Sequence, residues 1–201
     1  MRIAILTFDG FNEIDSFVAS YMINRVKRPG WKAEITCPAG VVESGRGVRV
    51  SAQQPLEFAN EADAVLVGSG KLTARLAEER ATMSRLRLDP RRQLVGSQCS
   101  GALMLAKLGV LGTTPACTDR LTRPLVEAAG VRVLNQPFFA SGNVASAGGC
   151  LSSHYLAAWF LWRLAGRAEA EEALAYVAPV GEESDYVTRA MGIVGKFVEQ
   201  R

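Results

Sequence analysis

The chain has 201 residues, 48% of them hydrophobic and 21% charged, which supports one sizeable buried core and excludes global disorder. Its net charge of +3 is small and scattered, and the Arg91–Arg92 and Arg120/Arg123 pairs make no basic stripe with interleaved aromatics, so nucleic-acid binding is not expected. No apolar run reaches the roughly 18–20 residues of a membrane span; the longest, Tyr155 to Ala165, contains Arg163 and stops at Gly166.

The N-terminal MRIAILTFDG is too short in its apolar run for a secretory leader, so a soluble, cytoplasmic protein is expected. Its apolar stretch, Arg2 to Phe8, predicts a buried strand closed by the Asp9-Gly10 turn. Helical spacing of Ile14, Phe17, Val18, Tyr21 and Met22 predicts a helix over 12–25, with Asn12 or Asp15 as its cap. Strands are predicted at 32–36, 48–52 and 64–67, the last ended by Gly68-Ser69-Gly70. A helix over 72–86 with a break near Ala81 follows, then a strand at 93–97 and a helix at 100–108 ended by Gly109. The second half predicts a helix at 121–129, a strand at 131–134 and a hairpin over 138–147. Helices at 151–165, 168–175 and 185–199 complete a single domain spanning 1–201.

Continuous apolar strands alternating with helices imply an α/β fold: a doubly wound, mostly parallel sheet with helices on both faces. Ligands in such sheets sit beyond the carboxyl ends of the strands. Three segments should meet there: residues 9–15, the Gly68-Ser69-Gly70 turn and the turn holding Cys99.

In Leu94-Val95-Gly96-Ser97-Gln98-Cys99-Ser100-Gly101, a strand stops, one residue is pushed out at the turn, and small residues start a helix. A nucleophile elbow is built this way. Cys99 would then head a helix whose N–H groups favour a thiolate or a developing negative charge on substrate. From this pattern alone, a buried structural cysteine fits equally well. Asp15 either caps the first helix or supplies a carboxyl group to the thiol, and Glu13 competes for the second role. Cys37, Cys117 and Cys150 form no CxxC pair or metal-ligand spacing, so reduced thiols are expected, Cys150 with at most a minor lining role. No GxGxxG or Walker-type loop is present, and neither metal nor organic cofactor is expected.

The elbow resembles that of the ThiJ/PfpI superfamily, and three other segments match in order: residues 8–15, 63–70 and 146–150. The resemblance runs from residue 1 to about 166, and it is strongest to the isonitrile (isocyanide) hydratases. It implies a flavodoxin-like, class I glutamine amidotransferase-like fold and a homodimer with its interface near the active site. It also implies that Cys99 is the nucleophile and Asp15 the proton-handling carboxylate, with a small-molecule substrate. Ser69, Gly70 and Ser100 would bind substrate or an oxyanion. Two positions depart from the superfamily pattern. Thr118-Asp119-Arg120 stands where many members carry a histidine, and Gly68-Ser69-Gly70 stands for Pro-Gly-Gly. His154, the one histidine, lies at the start of a late helix, either near the pocket or packed there. Two alternatives to isonitrile hydration stay open: a glyoxalase or deglycase acting on 2-oxoaldehydes, and a redox-sensing or sensory domain without turnover.

Overall fold

The computed structural model describes residues 1–198. Its frame is a seven-stranded sheet made of β1 (Arg2–Leu6), β2 (Lys32–Cys37), β5 (Gln54–Pro55), β6 (Ala64–Val67), β7 (Leu94–Gln98), β8 (Phe138–Ser141) and β9 (Val144–Ala147). The spatial order is β5-β2-β1-β6-β7-β9-β8, and every pairing is parallel except β8 with β9. A separate antiparallel pair, β3 (Val41–Glu43) and β4 (Arg49–Ser51), accounts for the strand expected at 48–52.

The period of two along each strand divides the core into two layers. Ile3 and Ile5 of β1 face a cluster with α1 (Glu13–Ile23), α6 (Ser153–Leu164), α7 (Arg167–Val177) and α8 (Glu183–Val194). Ala4 and Leu6, their neighbours on the same strand, face the other layer. That layer holds α4 (Gly101–Lys107) and α5 (Arg123–Ala128), with α2 (Thr73–Leu76) and α3 (Arg80–Met83) beside them. Trp159 and Phe160 of α6 are both fully buried. They are core residues, and each large side chain of this kind contributes roughly 1.5–3 kcal/mol by leaving water.

Three elements differ from expectation. Residues 131–134 form no strand: Val133 makes one parallel bridge to Ala116, because β8 already occupies the sheet edge beside β9. The break expected near Ala81 in the helix over 72–86 falls slightly earlier, since Glu79 is extended (φ −80°, ψ 100°) and its carboxylate accepts from the Thr82 hydroxyl, starting α3 afresh. The last helix ends at Val194 and continues as a 3-10 turn over Gly195–Phe197, and Glu199, its expected end, lies outside the described residues. Among the described residues no helix is long and apolar enough to cross a membrane.

The carboxyl ends of β1, β6 and β7 bring the first loop, the Gly68-Ser69-Gly70 turn and Cys99 to one edge. Gly101 makes this approach possible. A Cβ built there lies 2.5 Å from Val67 O and 2.7 Å from Gly68 O, backbone atoms that cannot swing aside. Gly101→Ala is therefore expected to destabilise the protein by about 1–3 kcal/mol. A lowered urea midpoint with an unchanged slope would show it; an unchanged midpoint would mean that α4 does not press on β6 this closely.

Candidate active site

Cys99 is the one non-glycine residue with positive φ among those described, at +46°. Side chains avoid this region at a cost of about 1–2 kcal/mol, so the conformation persists only where surroundings impose it. Here Cys99 N–H donates to Ala147 O (2.8 Å) and Cys99 O accepts from Thr118 Oγ1 (2.8 Å). The two bonds pin both sides of the turn between β7 and α4. The residue is 3% exposed, yet it lines a cleft of about 810 Å3 at the sheet edge. The thiol lies at the floor of an open site.

Asp15 comes from the first turn of α1 and is fully buried. Asn12, not Asp15, caps that helix: its Oδ1 accepts from Ile14 N at 3.2 Å, which leaves the Asp15 carboxyl free to face the elbow. Ser69 Oγ donates to Asp15 Oδ2, Ser153 Oγ donates to Oδ1 (3.2 Å), and the Cys99 sulfur lies within 4.8 Å of the same carboxyl group. Cys150 joins them. One ligand-type atom each of Asp15, Cys99 and Cys150 lies within 4.8 Å of the other two.

Burial raises the Asp15 pKa above the ordinary carboxylate value, with the hydrogen bonds from Ser69, Cys99 and Ser153 opposing it. Burial also raises the Cys99 thiol pKa, and the charge of Asp15 raises it further, against a donor from Gln98. Two acids this close hold one negative charge between them more readily than two, so they titrate as a pair. When the thiolate carries the charge, the proton resides on Asp15.

The remaining expected residues fall as follows. Ser69 reaches the site through its hydroxyl on Asp15. The Gly70 N–H donates to Ser100 Oγ (3.1 Å), so that amide holds the turn against α4 before any substrate arrives. Ser100 Oγ also contacts Thr73 Oγ1 at 2.9 Å. Glu13 lines the cleft, and its carboxylate accepts from Ser44 Oγ, which lowers its pKa. Asp119 also lines the cleft, with Oδ1 accepting from the backbone N–H of Leu121 (2.9 Å) and Thr122 (3.0 Å).

Three contributors had no distinct signal in the sequence. Gln98 donates from Nε2 to Gly149 O (2.8 Å) and to Cys99 Sγ (3.4 Å), tying β7 to the loop before α6. Ser153 holds Asp15, and Asn12 Nδ2 donates to Cys150 Sγ at 3.0 Å. All three contacts join segments remote in sequence or rest on ordinary polar residues.

His154 is not part of this cleft. Its ring lies against Tyr155 and Tyr186, with centroids 3.9 and 4.9 Å away. Burial pushes its pKa down to about 4, with a hydrogen bond to the Leu151 backbone opposing and the charge of Arg189 adding to the shift.

The profile of the DJ-1/PfpI family matches residues 1–161, and the chain belongs to that family. No curated protein sequence matches it closely enough to count as a relative. Among solved structures it is similar to a ThiJ/PfpI family protein from Pseudomonas syringae (17% identity, TM-score 0.78, covering 96% of this chain and 90% of that one). It is also similar to Schizosaccharomyces pombe DJ-1 (15% identity, TM-score 0.75, 89% of this chain and 100% of that one). A third is a cysteine-to-alanine mutant of a DJ-1 superfamily protein from Salmonella typhimurium (22% identity, TM-score 0.75, 88% and 97%). At these identities the likeness establishes the fold.

Two measurements check the site. Replacing Cys99 by Gly relieves about 1–2 kcal/mol of left-handed strain and adds about 0.4–1 kcal/mol of unfolded-state entropy. Cys99→Gly should thus be more stable than Cys99→Ala by about 0.5–1 kcal/mol; the reverse order in denaturant midpoints would place the turn elsewhere in φ. For His154, a folded pKa below the unfolded 6.5 gives a contribution present above pH 6.5 and lost as pH falls to about 4. Melting temperature should decline through that window, and His154→Gln should flatten the decline. An identical acid limb in the variant would assign the decline to other groups.

Proposed function

We propose that the protein is a cysteine-dependent enzyme that hydrates isonitriles, R–N≡C, to N-substituted formamides. The observation that carries this reading is the buried Asp15 carboxyl behind Cys99, which itself lines an open cleft. Hydration needs a soft nucleophile for the terminal carbon and a proton for the same carbon, and this pair supplies both from neighbouring atoms.

In the first step Cys99 Sγ bonds to the terminal carbon while Asp15 transfers its proton to that carbon, giving a thioimidate, R–N=CH–S–Cys99. Water then adds to the C=N carbon, and its proton returns the nitrogen to N–H. Collapse of the adduct breaks the C–S bond, forms the formamide carbonyl and restores the thiol–carboxyl pair. Net, one water is consumed. Ser69 and Ser153 hold the carboxyl toward the sulfur through both oxygens. Ile14, Leu121 and Leu125 line the cleft and are 43%, 84% and 44% exposed, an apolar rim suited to an alkyl or aryl R group.

Aldehyde isomerisation fits the site less well. It moves a proton between carbons and calls for a base that stays ionised beside the thiolate, whereas burial favours the protonated form of Asp15. The chain's single imidazole is occupied against Tyr155 and Tyr186.

The test is loss of isonitrile and appearance of formamide with alkyl and aryl isonitriles. Wild type should turn over and Cys99→Ala should be inactive. Asp15→Asn should lose about 10²–10⁴-fold in kcat while Cys99 remains open to alkylation. A wild type inert toward both isonitrile classes would overturn the substrate. Full activity in Asp15→Asn would overturn the proton path.

A further inference from the structure

Cys150 is the one group of the Asp15–Cys99–Cys150 cluster that isonitrile hydration does not use. It occupies the first position of a 3-10 turn (Cys150–Ser152), is half-buried, and lines the same cleft as Cys99. The two sulfurs lie within 4.8 Å of each other. Asn12 Nδ2 points at Cys150 Sγ from 3.0 Å, which holds that sulfur on the cleft side. The residue before it, Gly149, has φ +87° and leaves open space where a Cβ would be, its nearest neighbour being Ser152 Oγ at 4.0 Å. A disulfide holds its sulfurs roughly 2.05 Å apart, so this pair has less than about 3 Å to close. Cys37 and Cys117 are buried outside the cleft and have no such partner among the groups described there.

We propose that Cys99 and Cys150 form a hydroperoxide-reducing dithiol pair, with Cys150 as the resolving thiol. This rests on Cys99 being a reactive nucleophile, as in the preceding reading. Cys99 sulfur attacks the outer oxygen of a hydroperoxide, ROOH; the O–O bond breaks, ROH leaves with the proton that the thiol–Asp15 pair releases, and Cys99 becomes a sulfenic acid. Cys150 sulfur then attacks Cys99 Sγ and the S–O bond breaks. The Cys150 proton leaves with the hydroxyl as water, and the disulfide forms. The peroxide is reduced by two electrons and the two thiols are oxidised by two. A small dithiol reductant returns both to thiols by exchange.

The pair has a consequence for the site itself. The disulfide occupies the sulfur that hydration needs, so an oxidising pulse switches turnover off reversibly and spares Cys99 from further oxidation. Without a resolving neighbour, a sulfenic acid proceeds to the irreversible sulfinic form.

The experiment oxidises the full-length protein with a several-fold excess of hydrogen peroxide, blocks free thiols with an alkylating agent and maps peptides by mass spectrometry without reduction. A Cys99–Cys150 cross-linked peptide that dithiothreitol abolishes is the expected product. Cys150→Ser should instead accumulate sulfinic acid on Cys99. Sulfinic acid on Cys99 of the wild type with Cys150 still alkylatable would overturn the pairing and leave the nucleophile standing. A wild type in which Cys99 is neither oxidised nor alkylated would overturn the pairing and the hydratase reading together.

Discussion

A carboxyl group placed out of reach of water beside a thiol is the constraint on which the rest of this structure turns. Asp15 is fully buried, and an isolated carboxylate there would be costly. Ser69 and Ser153 offset part of that cost by donating to its two oxygens, and the Cys99 thiol offers a third contact. The residual penalty raises the pKa of both groups and leaves a single charge for the pair to place. A site arranged this way keeps a proton next to a sulfur without any imidazole.

The backbone around the pair is shaped to allow it. Cys99 sits in left-handed backbone between two hydrogen bonds from remote segments, and α4 begins so close to β6 that only a glycine fits at position 101. Ser100 stitches the same helix to Gly70 and Thr73. The elbow, the Gly68-Ser69-Gly70 turn and the first loop are therefore one mechanically coupled unit. The position that often bears a histidine elsewhere in the superfamily is Asp119, which spends its carboxylate on the backbone N–H groups of Leu121 and Thr122 and so secures the cleft wall.

Cys150 alters what such a unit can do. A second sulfur within 4.8 Å of the first, held by Asn12 and preceded by a glycine with room to move, would add two-electron chemistry to the proposed hydration. The two chemistries share Cys99 and exclude one another in time, because the sulfur that forms a disulfide cannot also attack carbon. That exclusivity would couple turnover to the oxidation state of the surroundings.

The amino-acid sequence alone was enough for the parallel α/β sheet, the elbow at Cys99 and the meeting of three loops at one edge. Continuous apolar strands, helical spacing and small residues around a turn are local signals, written within a dozen residues each. It left Asp15 between a helix cap and a catalytic partner, because both roles ask for an aspartate at the start of α1. In the folded chain Asn12 takes the cap, and the Asp15 carboxyl lies beside Cys99. The strand expected at 131–134 failed for a related reason: a β-forming segment needs an open sheet edge, and β8 had taken it. The lining position of Cys150 was anticipated, but its contact with Asn12 and the parts played by Gln98 and Ser153 were out of reach. Each arrives from a segment distant in sequence from at least one of its partners, and no periodicity encodes which remote side chains a closed sheet will bring within a few ångströms of one another.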